Sequence, residues 1–287
     1  MTNEPKNMKP LAGVQPIRFN LPIDIPTGDK YSPSEMDEWE KEKVQRMNEE
    51  PGTLQGYDCA LCHNKGYIYI DRDNRKPCEC MEIRNSLARA SQSMLSKEML
   101  SRYTFAKYKA ESEWQKKVFK AAAAYAKNPA GWFFIGGQPG AGKTHLCVAI
   151  FNRMIRAGSK GKYMEWRSTA QALKAVMNTS EYLPLMEQFQ NAPLLYIDDL
   201  FKVQNGGTVP PGDVNLAIEL LYNRYNHPDR LTIISSEWMF PQLLNIDEGL
   251  ASRIRERAGK NSFDISKDPC KNSRMKNGNG EYEQITF

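Results

Sequence analysis

Eight consecutive residues, Gly137-Gln138-Pro139-Gly140-Ala141-Gly142-Lys143-Thr144, follow the pattern G-x-x-x-x-G-K-[ST]. The residue types suit a phosphate chain. Glycines let the backbone wrap closely, so that its amides and the N-terminus of the next helix point at anionic oxygens. Lys143 then reaches the β- and γ-phosphates, and the Thr144 hydroxyl holds Mg2+. The apolar run Trp132-Phe133-Phe134-Ile135 leads into the loop, and an amphipathic helix carrying Leu146, Ile150 and Ile155 leaves it. Further on, Leu194-Leu195-Tyr196-Ile197-Asp198-Asp199 is an apolar strand ending in two carboxylates. Asp198 at its tip would orient Mg2+, and Asp199 would position or polarise an attacking water. The two stretches together predict binding of ATP or GTP.

A second group has metal-ligand spacing. Cys59-x2-Cys62 and Cys78-x-Cys80 are two close thiol pairs separated by 15 residues, which suits tetrahedral Zn2+. His63 is an alternative to one of the thiols. Four protein ligands would leave no open position for water chemistry, so the expected site is structural. Cys147 and Cys270 stand apart.

These residues need elements to hold them. From residue 131 onward, apolar strands alternate with amphipathic helices, the pattern of a parallel sheet covered on both faces. Strands are expected at Trp132–Ile135, Lys162–Trp166, Leu194–Ile197, Leu231–Ser235 and Ser262–Ile265. Helices are expected at 113–127, 143–157, 169–178, 213–225 and 248–257. Upstream, Tyr67-Ile68-Tyr69-Ile70 is β-like and 82–100 is helical. Ser32, Pro33 and Glu35 form a helix-start signal for a charged helix over 33–49, which Pro51-Gly52 ends. That helix is either a solvated element or a docking element. The expected division is a flexible segment with this helix (1–56), the cysteine knuckle (57–81), a helical connector (82–112), the nucleotide-binding domain (113–275) and a tail (276–287).

The 287 residues suffice for one such core and a small accessory domain. Residues 1–57 carry 7 Lys/Arg against 10 Asp/Glu, net −3, and residues 58–287 carry 32 against 24, net +8. A basic body fits a polyanion partner or is simply solubility charge. No run approaches the length of a membrane span, and the first residues lack the apolar core of a secretory signal. A cytoplasmic protein without membrane contact is expected.

Taken together, GQPGAGKTHL, LLYIDDL, TIISS (232–236), LASRI (250–254), NSR (272–274) and the Tyr103–Tyr108 lead-in resemble the AAA+ module of the DnaC/DnaI-type helicase loaders and the related IstB-like ATPases. That resemblance covers about 100–275, or 57–275 with the knuckle, because DnaI-like loaders also place a zinc-binding domain before the ATPase. It implies an α/β fold, a P-loop AAA+ core whose five parallel strands run 5-1-4-3-2, and no full helical lid. It implies ATP held by residues 137–144 and His145, Mg2+ on Thr144 and Asp198, and hydrolysis served by Lys143, Asp198 and Asp199. Arg253 matches the arginine finger reaching a neighbouring subunit, and Arg274 the second sensor. One departure stands out: the family usually carries Asn at the end of the sensor strand, where this chain has Glu237. Either Ser236 senses the nucleotide or hydrolysis is weak.

The function so implied is an ATPase that binds the replicative helicase, forms a homo-oligomer with ATP, and loads the helicase on single-stranded DNA. DNA would meet Lys160, Lys162 and Arg167, with Tyr163 or Trp166 available for base stacking, although both lie in an expected strand and at least one of them should be core. Other readings are an IstB-like ATPase assisting a transposase, a nucleotide-dependent adaptor with little hydrolysis, and a small-molecule kinase. Against the last, no arginine-rich lid follows the core.

Overall fold

The computed structural model describes residues 38–204 and 207–275. The Ser32-Pro33-Glu35 helix-start signal and the tail 276–287 lie outside them. The described residues fall into two compact units, one up to Met81 and one from Glu82 onward.

In the first unit, α1 (Glu38–Glu49) is fastened to the knuckle by polar side chains, because Val44 is its one buried residue. The Asn48 carboxamide acts like a neighbouring strand: it donates to Tyr69 O at 3.0 Å and accepts from Tyr69 N at 2.8 Å. The Lys65 ammonium donates to Met47 O, Asn48 O and Glu50 O at 2.5–2.7 Å, which caps carbonyls that a helix C-terminus leaves free. The strands β1 (Tyr67–Tyr69) and β2 (Arg75–Pro77) pair antiparallel.

The second unit is built on β3 (Trp132–Gly137), β4 (Gly161–Glu165), β5 (Leu194–Leu200), β6 (Leu231–Ser236) and β7 (Ser262–Ile265), all parallel, in the order β4-β5-β6-β3-β7. Counted among the sheet's own strands from the other edge, this is 5-1-4-3-2, as the resemblance implied. Alternation along each strand supplies both faces. Trp132, Phe134, Leu195, Ile197 and Ile234 enter one core, and Phe133, Ile135, Leu194, Tyr196 and Ile233 the other. The first core takes in α6 (Trp166–Ala175), α7 (Tyr182–Gln190), α8 (Pro211–Tyr225), α9 (Phe240–Ile246) and α10 (Glu248–Ala258). The second takes in α4 (Glu113–Lys127), α5 (Lys143–Arg156), and Leu95 and Leu100 of the segment holding α2 (Cys80–Gln92) and α3 (Lys97–Arg102).

Three elements differ from expectation. Trp166 does not end β4: the Glu165 carboxylate accepts from Ser168 N at 2.8 Å and so caps α6 one residue after the strand. The helices α7 and α9 were not expected, since each is short and carries proline in its first turn. Proline is tolerated there because the N–H it removes has no helical partner.

Candidate functional site

The loop between β3 and α5 is shaped by close backbone contacts. Gly137 has φ +104°, and a Cβ there would lie 1.9 Å from Ile265 O, so β7 passes too close for any side chain. Gly140 has φ +74°, and its Cβ would meet Asn272 Oδ1 at 1.8 Å. The 272–274 segment is strapped over the loop, with Ser273 N and Oγ both donating to Gly140 O (3.0 and 2.5 Å). Gln138 joins the same strap through its Oε1, which accepts from Asp268 N at 3.0 Å.

At the start of α5, the Lys143 ammonium is buried and donates to Gly137 O at 2.8 Å and Gln138 O at 2.9 Å. Burial pushes its pKa down, and the nearby Asp199 and Glu237 charges oppose that shift. Thr144 Oγ1 donates to Asp198 Oδ1 at 3.1 Å, so the loop and the acidic strand tip meet directly. Three more hydroxyls converge on the same carboxylate: Tyr196 and Ser235 on Oδ1 at 2.6 Å each, and Tyr163 on Oδ2 at 3.1 Å. A carboxylate fixed this tightly beside a threonine hydroxyl is a suitable donor set for a hard divalent cation.

Beyond it, Asp199 and Phe201 take the left-handed backbone at φ 55° and 61°, a conformation rare for side-chain-bearing residues. The turn is tied to the end of β6. Asp199 N donates to Ser235 Oγ (3.0 Å), Ser236 Oγ to Leu200 O (2.7 Å), and the Trp238 indole to Phe201 O (2.8 Å). Burial, with Asp198 adjacent, raises the Asp199 pKa.

A cleft of about 240 Å³ is lined by Arg102, Tyr103, Pro139, Gly140, Gly142, Lys143, Thr144, His145, Asp199, Lys202, Glu237, Ser273 and Arg274. It brings together most of the expected loop residues, Asp199 and Arg274. Gly137, Gln138 and Ala141 serve the loop from outside this lining, and Asp198 reaches it through its hydrogen bond from Thr144. His145 Nε2 lies 2.9 Å from Thr104 O, and its ring packs against Tyr103 and Tyr108.

Two expectations need correction, nucleotide sensing by Ser236 and base stacking by Trp166. Ser236 does not face the cleft: it is fully buried, and the period-2 alternation of β6 turns it opposite to Ser235, which is the residue that contacts Asp198. Trp166 is fully buried against Phe201 and offers no face to a nucleic-acid base. The hydroxyl of Tyr163 belongs to the Asp198 network. Arg253, expected to reach a neighbouring subunit, lies outside this chain's own cleft, as that role requires; its guanidinium stacks over Tyr222 at 4.0 Å and donates to Tyr222 Oη (3.1 Å) and Gly249 O (2.9 Å). Lys202 and Ser235 were missed as site residues. Only the neighbourhood of the acidic strand and of the hydroxyl-rich strand end pointed to them.

In the first unit, the sulfurs of Cys59, Cys62, Cys78 and Cys80 all lie within 4.8 Å of one another. The pairs Cys59/Cys78 and Cys62/Cys80 stand 3.7 and 3.5 Å apart. A disulfide needs about 2.05 Å, whereas a tetrahedral Zn2+ with Zn–S near 2.3 Å sets its sulfurs about 3.8 Å apart. Gly66 N donates to Cys62 Sγ at 3.3 Å, as suits a thiolate ligand. The four thiols therefore fit zinc; His63 is exposed and outside the group.

The sheet order and the phosphate loop define a P-loop nucleotide-binding protein of the α/β class. The chain belongs to the family described as IstB-like ATP binding protein, which it matches over residues 70–265. It is 37% identical over 126 residues to the uncharacterized protein YqaM of Bacillus subtilis (strain 168), covering 42% of this chain and 38% of that one. It is 29% identical over 173 residues to the chromosomal replication initiator protein DnaA of Streptococcus agalactiae serotype Ia, covering 56% of this chain and 36% of that one. The chain thus spans well under half the length of these two relatives. A crystal structure of the DnaC helicase loader superposes with a TM-score of 0.48 at 20% identity, over 60% of this chain and 100% of that one. Among the described residues, no helix is long and apolar enough to cross a membrane.

Proposed function

We propose that the protein is an ATPase of DNA replication that binds the replicative helicase and loads it on single-stranded DNA in the cytoplasm. ATP and Mg2+ occupy the cleft between residues 137–145 and the Asp198–Asp199 strand tip. Subunits associate when ATP binds, Arg253 leaves Tyr222 to reach the neighbour's γ-phosphate, and hydrolysis releases the helicase. A guanidinium there neutralises charge developing on the phosphoryl oxygens. Zn2+ on the four thiols holds the first unit in shape as the helicase-docking element.

The observation that carries this reading is the presence, in one chain, of a nucleotide cleft and an upstream four-sulfur cluster at zinc spacing. DnaI-like loaders, which the motifs resemble, combine the same two parts. The similarity to a replication initiator supports the same area of biology.

The test is capture of the host's replicative helicase by the tagged full chain, with and without ATP, before and after zinc chelation. Helicase retained with zinc and lost on chelation supports the assignment. No capture under any condition, together with retention of a transposase by the same bait, would replace it with the transposition reading.

A further inference from the structure

The nucleotide cleft holds a second lysine that the expected machinery does not use. Lys202 lies three residues past Asp199, where the left-handed residues Asp199 and Phe201 turn the chain back and Lys202 N donates to Asp199 O at 2.9 Å. Its ammonium sits 3.3 Å from Asp199 Oδ2 and is hydrogen-bonded to Glu237 Oε1. Glu237 directly follows β6, at the position where the resemblance implies an amide that reads the γ-phosphate. All three side chains line the cleft with Lys143 and Thr144.

We propose that Lys202 is this chain's γ-phosphate-reading residue, held by Glu237 and Asp199 until a triphosphate takes over its ammonium. The inference rests on the nucleotide-binding reading of the cleft. A carboxylate at position 237 has no N–H to donate to a phosphate oxygen, as an amide has, and the two anions repel; an ammonium beside it can donate. The three side chains are 27–32% exposed, so the ammonium can exchange partners without any element unfolding. Asp199 is common to both states. When Lys202 moves to the γ-phosphate, the Asp199 carboxylate loses a cation and becomes freer to accept a hydrogen bond from water. A diphosphate offers no γ-oxygen, so the ion pair with Glu237 persists in its presence. The pair therefore tells ATP from ADP.

The experiment measures, by calorimetry on the full chain, the affinity for Mg-ADP and for a non-hydrolysable Mg-ATP analogue. Wild type should prefer the triphosphate. Lys202→Met should lower that preference roughly tenfold or more, the size of a lost charge-assisted hydrogen bond, with ADP affinity nearly unchanged. Lys202→Arg should keep part of the preference. Glu237→Gln should raise triphosphate affinity several-fold by removing the competing anion, and it keeps the test open if Lys202→Met folds poorly. An unchanged preference in both Lys202→Met and Glu237→Gln, or an equal loss for both nucleotides in Lys202→Met, overturns the assignment. Wild type binding neither nucleotide is a different failure: it removes the nucleotide reading and this inference with it.

Discussion

Removing the metal from the cysteine group should unfold the first unit and spare the second. The described part of that unit buries little else. Its core is the four cysteines with Ile68 packed against them, plus Val44. Burying one valine side chain contributes about 2 kcal/mol. Structural zinc in small domains contributes about 10–16 kcal/mol of apparent binding energy at neutral pH, which is also folding energy. The metal term dominates by several-fold. Six thiols report on it. Cys59, Cys62, Cys78, Cys80 and Cys147 are buried and Cys270 is exposed. The purified protein should contain one zinc per chain and one fast-reacting thiol. A strong chelator should expose the four cluster thiols while Cys147, deep in the second unit, stays slow. Tryptophan fluorescence from Trp39 should change together with the thiols, since Lys43 and Arg72 flank its ring at 5.0 and 5.6 Å. Cys62→Ser should reproduce the chelated state and Cys147→Ser should not. If the protein holds no zinc and its knuckle thiols react at the same rate whether or not zinc is added, the argument from sulfur spacing is wrong.

Two further outcomes follow from the second unit. Lys143→Ala should reduce ATP affinity by about 100-fold, within the range for deleting one partner of a buried charge contact, as read by calorimetry. Unchanged ATP affinity would refute the site. Arg224 is fully buried, and it donates to Phe189 O, Gln190 O, Ala192 O, Leu231 O and Thr232 Oγ1 at 2.7–3.0 Å. Arg224→Met should cost about 3–5 kcal/mol by leaving buried carbonyls unpaired. The measurement is the urea midpoint at constant slope, and a shift worth under about 1 kcal/mol would show that the network is dispensable.

The phosphate loop, the acidic strand and the cysteine pairs were legible because each is a short run whose residue types are set by a ligand. The sheet order followed from the resemblance alone; the alternation of strands with helices gave only a parallel sheet covered on both faces. What stayed hidden depended on which way a side chain points across distant segments. Ser235 and Ser236 are chemically identical in sequence, and only the phase of β6 decides that one meets Asp198 while the other binds Leu200 O. Trp166 read as the last residue of a strand because an apolar aromatic continues the run. The carboxylate of Glu165 starts a helix there instead, and the indole enters the core. No motif in the sequence singles out Arg224. Its buried role comes from the carbonyls of the segment after α7 and from β6, which are remote in sequence.

The two aspartates at the end of β5 show why adjacent like residues can divide a task. Asp198 is fixed by four hydroxyls from four places in the chain, Thr144, Tyr163, Tyr196 and Ser235. Such a carboxylate is poorly placed to move and well placed to hold a cation. Asp199 is turned by its left-handed backbone toward the cleft, and its pKa is raised by burial and then by Asp198 beside it. A carboxylate made more basic in this way is the better acceptor of a hydrogen bond from an attacking water. Ser235 touches both residues, donating to the first carboxylate and accepting from the backbone amide of the second, so one hydroxyl links the carboxylate that would hold the metal to the one that would face the water. In the proposed hydrolysis, Lys202 then acts on the second carboxylate alone. The triphosphate signal can change the environment of the water without disturbing the grip on the metal.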